Sequence, residues 1–98
     1  HIETPDATQA LVNRAAQDED SYVRKEAITL LAGRGQQGVL NTIGELLQDE
    51  PLASVRRAAL DALADRPMDE ELLALLSDVV SSDPDSSLRS YALELLGR

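Results

Sequence analysis

The chain has no cysteine, no phenylalanine and no tryptophan, and its single histidine is His1. Without cysteine there can be no disulfide and no thiolate metal site. Without a usable histidine, neither a Ser/His nor a Cys/His nucleophile pair can be assembled. No His-x-x-x-His pair and no calcium loop of alternating acids ending in Glu is present. No Gly-x-Gly-x-x-Gly or Walker loop exists, and Gly33, Gly35 and Gly38 follow a helical pattern rather than a strand. No apolar run approaches the ~20 residues of a membrane span, and no signal peptide is visible. A cytoplasmic setting is favoured over a secreted one.

Positive charge is also scarce. Nine basic residues face 18 acids in 98 residues, a net charge of −9. Nucleic-acid binding rests on Lys and Arg neutralising phosphates, so it is disfavoured. Docking on anionic lipid is disfavoured for the same reason. The charge reads first as solubility and, more sharply, as a preference for a basic partner.

What remains is aliphatic. Apolar residues make up 43% of the chain, with Tyr22 and Tyr91 the only aromatics. A core of Ala, Leu, Val and Ile suits closely approaching helices. Three nine-residue segments align without gaps, starting at Val23, Val55 and Leu88. Each has a branched aliphatic residue first, Arg second, Ala fifth, Ile or Leu sixth and Leu ninth. The repeated arginines are Arg24, Arg56 and Arg89, spaced by 32 and 33 residues. A fixed period of this size marks a solenoid.

Within each segment the apolar positions follow i, i+4, i+7, i+8. This predicts helices with core stripes Val23, Ala27, Leu30, Leu31, then Val55, Ala59, Ala62, Leu63, then Leu88, Ala92, Leu95, Leu96. A second stripe precedes each one, around Leu11, around Ile43 and around Leu76. Thr4, Pro5 and Asp6 read as an N-cap, a first-turn proline and a first-turn acid. Acidic turns part the two helices of each pair: Asp18-Glu19-Asp20, Asp49-Glu50-Pro51 and Asp83-Pro84-Asp85. The expected fold is all-α, an α-solenoid of three antiparallel hairpins, six helices in all. A lone hairpin cannot bury its apolar face, but stacked hairpins share one core. No polar capping helix follows the third hairpin, so the expectation is a piece of a longer array, or an open end that packs on another copy.

At these residues the chain resembles the HEAT-like repeats, in the short form of the phycobilisome-lyase type. The run from Asp18 to Ala27 carries the Asp-x-Asp-x-x-Val-Arg-x-x-Ala part of that pattern, and Asp83 to Arg89 follows nearly as well. The middle repeat departs, because Asp49 lies one residue further from Val55 than Asp18 lies from Val23. The resemblance implies one HEAT-like domain over 1–98, with repeats near 5–34, 37–66 and 68–98. It also implies a non-catalytic interaction or scaffolding role on the inner face of the second helices, with no cofactor and no metal. Alternative roles are help in attaching a tetrapyrrole (bilin) and an interaction domain appended to an enzyme. The His-Glu dipeptides of iron-binding deoxyhypusine hydroxylases do not occur here. HEAT-like DNA glycosylases use a basic, aromatic-bearing face that this chain lacks.

Arg24, Arg56 and Arg89 could form a basic ladder for anionic ligands. The reading preferred here is structural, each pairing with an acid of an inter-helix turn: Asp18, Asp49 or Asp83. The acids Asp69-Glu70-Glu71 sit at a helix start, where capping accounts for them better than acid–base catalysis does. On a helical wheel, Tyr22, Lys25, Thr29, Ser54, Arg57, Asp61, Ser87, Ser90 and Glu94 lie opposite the core. Tyr91 and Glu26 flank them, turned towards a neighbouring repeat. From this set, Tyr22, Lys25, Thr29, Arg57, Asp61, Ser90, Tyr91 and Glu94 are the candidate partner-binding residues, with the tyrosines as anchors for a protein or peptide.

Overall fold

The structure is a computed structural model that describes residues 5–98, and side chains from residue 7 onward. His1 and the Thr4 cap expected from the sequence lie outside the described residues. Six helices follow one another: α1 (Pro5–Gln17), α2 (Ser21–Ala32), α3 (Val39–Asp49), α4 (Ala53–Leu63), α5 (Glu70–Ser82) and α6 (Ser86–Leu96). There is no strand among the described residues. The fold is the helical repeat solenoid anticipated from the period.

Local chemistry sets the helix ends. Asp20 accepts a hydrogen bond from the Tyr22 amide and opens α2. Asp69 does the same for Leu72 at the start of α5, and Asp85 for Ser87 and Leu88 at the start of α6. Each carboxylate satisfies amides that have no partner within the helix and sits at the positive end of the helix dipole. Helix α3 starts differently, from Gly38 at φ 86°, a left-handed turn that favours glycine.

The helices form two layers. The first helices α1, α3 and α5 pack side by side, and so do the second helices α2, α4 and α6. The core between them is aliphatic and includes Ala27, Leu31, Ile43, Val55, Ala59, Leu63, Leu76, Leu88 and Ala92. The spacing is uneven. Helix α4 packs much more closely on α2 than on either its own partner α3 or α6. A small residue, Ala58, stands two positions after Arg56; at the same place in α6 stands Tyr91. The bulkier side chain holds α6 further from α4.

Most of the expected stripe is buried, but the buried face extends to a flank that the stripe did not include. Ile28 and Leu60 are 2% and 1% exposed, whereas Leu30, expected in the core, is 56% exposed. At 3.6 residues per turn these two positions lie roughly 160° apart on the wheel. The sixth position of each segment faces the next hairpin, so burial there requires that hairpin to be present. Leu93 occupies this position in α6 and is 60% exposed, while Leu95 is buried instead. Among the described residues, the middle of the stack is therefore covered on both flanks and its outermost helices are not.

Candidate functional site

The arginine ladder is a set of buried clasps between hairpins. Arg24 donates from Nε and Nη2 to Glu50 at 2.8 and 3.2 Å, and from Nη1 to the Asp18 carbonyl at 2.8 Å. Arg56 donates to Asp83 at 2.9 and 3.3 Å, and to the Glu50 carbonyl at 2.8 Å. Each fork thus ties its own turn, six residues upstream, to the carboxylate of the next turn. Arg89 repeats the first half of this arrangement, donating to the Asp83 carbonyl at 2.7 Å. It has no carboxylate partner among the described residues. The Arg56 and Asp83 side chains are 7% and 6% exposed. The hydrogen bond to Glu50 raises the Arg24 guanidinium above its ordinary range.

Of the three acids expected in the ladder, only Asp83 takes a ladder arginine on its carboxylate; Asp18 contributes its backbone carbonyl and Asp49 nothing. Asp49 is exposed and takes no arginine, and Glu50 fills the second rung. The reason is register. Glu50 stands six residues before Arg56, as Asp18 and Asp83 stand before Arg24 and Arg89, so only it points back into the ladder. Glu50 also accepts from the Leu52 amide at 3.0 Å, as Asp83 accepts from Asp85 and Asp18 from Asp20, both at 2.9 Å. The longer glutamate side chain does the work of aspartate in a turn of altered shape. At the first turn the Asp18 carboxylate meets Arg14, in the last turn of the preceding helix α1, at 3.2 Å.

The outward face of the second helices holds a separate cluster. The Tyr91 hydroxyl donates to Asp61 at 2.6 Å, and the Arg57 guanidinium lies 4.4 Å from the centre of the Tyr91 ring. One residue of α6 is thereby tied to two of α4. The Asp61 hydrogen bond, together with burial, raises the phenol above its ordinary range, while Arg57 opposes the shift. Cation–π contact and a charge-assisted hydrogen bond hold the ring in one orientation. Tyr22, on α2, is 65% exposed. Thr29, Ser90 and Glu94 are exposed on the same set of helices, and Lys25 is half-buried. Among the described residues no group of His, Asp and Glu could hold a metal ion, and no helix is long and apolar enough to cross a membrane.

A family model described as HEAT repeats matches residues 8–97. The chain belongs to the HEAT-repeat family. No curated protein and no solved structure matches it significantly. HEAT repeats are generally protein-interaction or scaffolding modules and typically lack catalytic activity. For a HEAT array, the buried Arg–acid clasps explain the most regular polar feature of the sequence as a fastening.

Proposed function

We propose that this HEAT array is a non-catalytic protein-binding module that recognises its partner on the face carrying Tyr22, Lys25, Thr29, Arg57, Asp61, Ser90, Tyr91 and Glu94. The observation that carries this reading is the Arg57–Tyr91–Asp61 cluster. It fixes a tyrosine and a cation on the surface before any partner arrives, so less side-chain freedom is lost on binding. Tyr and Arg are also the residue types that most often anchor interfaces. The stacked core and the buried clasps keep the three helices in register beneath it.

The test is capture of the cognate partner by wild type, by Tyr22→Ala and by Arg57→Glu, with folding of each verified by circular dichroism. Loss of the partner in folded variants supports the reading. Undiminished capture by both variants sinks it.

A second reading, self-association through the two ends of the stack, has its own support. Leu93 and Leu73 are 60% and 49% exposed at one end, whereas Leu60 and Leu40, at the matching positions of the middle hairpin, are 1% and 4% exposed. Leu30 is exposed on the opposite flank. Among the described residues Arg89, at one end, has no carboxylate partner, and Asp18, at the other, carries a turn carboxylate bound by Arg14 and the Asp20 amide. A molar mass that rises with concentration in light scattering, and falls for Arg89→Glu, is the expected result. A concentration-independent monomer rejects it.

A further inference from the structure

The first helices α3 and α5 enclose a groove that the interaction face described above does not use. Two adjoining cavities of about 180 and about 200 Å3 share Gly44, Gln48, Leu75 and Asp78 and form one continuous trough. Its floor is apolar, with Leu75 and Val79 beside the bare backbone of Gly44. Its rim is acidic, from Glu45, Glu71 and Asp78. Helices α3 and α5 contain no Lys or Arg. The three rim acids are exposed and make no ion pair among the described residues.

Gly44 is the informative residue. A glycine inside a helix costs about 1 kcal/mol relative to alanine. A Cβ built at this position would meet nothing within 4 Å, so no neighbour in the fold requires its absence. What the glycine does is open the trough. At the matching position of α1 stands Val12, which packs against the core. There the equivalent groove, between α1 and α3, is confined to the ladder end, near Ala15, Leu46 and Glu50. The α3–α5 groove thus extends further along its helices; the one cation in its lining, Arg56, is buried and paired with Asp83, so the exposed charges around the groove are acidic.

We infer that the α3–α5 groove is a docking site for a basic peptide segment, which places an aliphatic side chain over Gly44, Leu75 and Val79 and its Lys or Arg side chains against Glu45, Glu71 and Asp78. The occupant follows from charge complementarity. A floor of this kind excludes water from an aliphatic group, and the three free carboxylates select cationic flanks while repelling acidic ones.

The probe is a fluorescein-labelled nine-residue peptide in which leucine recurs among lysines, followed by fluorescence anisotropy at low ionic strength and by amide chemical shifts. Its leucine-to-serine and lysine-to-glutamate counterparts are the controls. Expected are shifts clustered in residues 40–48 and 71–79, and affinity reduced about tenfold or more by Gly44→Leu. Gly44→Leu should melt no lower than wild type, since leucine is the better helix former, so its loss of binding is not loss of fold. Glu45→Lys with Asp78→Lys should abolish binding. Glu19→Lys with Asp65→Lys makes the same change of net charge at exposed positions outside both faces and should leave affinity within about twofold. The proposal is overturned if the lysine peptide does not bind, if the serine counterpart binds as tightly, or if Gly44→Leu or the Glu45/Asp78 pair binds like wild type. It fails equally if the shifts fall outside the groove. Tyr22→Ala and Arg57→Glu leave this peptide's affinity unchanged, so the two interaction surfaces stand or fall separately.

Discussion

Arg56 grips Asp83 through two nitrogens, at 2.9 and 3.3 Å, and in doing so joins the second hairpin to the third. Both side chains are almost wholly withdrawn from water. Removing the cation leaves a buried carboxylate with only the Asp85 amide to satisfy it. Arg56→Ala should therefore cost about 3–5 kcal/mol in urea denaturation. Arg89→Ala removes a single hydrogen bond from a partly exposed guanidinium and should cost about 1 kcal/mol. Equal costs for the two variants would contradict the clasp.

The second rung separates two adjacent acids. Glu50→Gln weakens a bidentate buried pair and should lower stability by about 1–3 kcal/mol. Asp49→Asn alters an exposed carboxylate outside the ladder and should stay within about 0.5 kcal/mol of wild type. The same denaturation experiment, run on both variants, ranks them. The reverse order would restore Asp49 to the ladder.

Gly44→Ala should raise stability by about 0.5–1 kcal/mol, because alanine loses less backbone freedom and its Cβ meets nothing within 4 Å. A higher thermal midpoint with unchanged helix content is the expected signature. A lower midpoint would show that the fold itself needs the glycine.

The Tyr91–Asp61 bond has a pH signature. Because the folded phenol is raised above its ordinary range, chiefly by donating to Asp61, the protonated form is favoured in the folded state. The stability it contributes is complete below the ordinary phenol range, about 10. That contribution is lost as pH rises through the raised folded value. In a Tyr22→Phe background Tyr91 is the only tyrosine, and its ultraviolet absorbance should titrate above that range. Adding Asp61→Asn should bring the titration down. An unchanged midpoint would separate the hydroxyl from Asp61.

Asp85 gives the opposite case at acid pH. Hydrogen bonds from the Ser87 hydroxyl and from the Ser87 and Leu88 amides hold its carboxyl below the ordinary range. The cap is therefore complete above the ordinary carboxylate range and is lost as pH falls through the depressed folded value. Asp85→Asn should flatten the acid limb of a stability–pH profile relative to wild type. An identical limb would exclude Asp85 as a contributor.

The repeat itself was legible from one dimension. Helix type, helix number and the three acidic turns all follow from a period near 33 residues and from helical spacing, because these are local properties repeated along the chain. The rung at Glu50 was also within reach, since its six-residue offset from Arg56 matches the other two turns. The offset is kept there while the residue type changes from aspartate to glutamate. Which flank of α2 is buried was decided only by stacking. Ile28 and Leu30 are equally apolar, and nothing but the placement of the next hairpin selects one of them. The same holds for the bond from Tyr91 to Asp61 and for the groove above Gly44, which join residues 30 or more positions apart. Sequence spacing carries the helices and their ends. Contacts between helices depend on how closely the layers approach, and that distance is set by the bulk of side chains such as Ala58 and Tyr91.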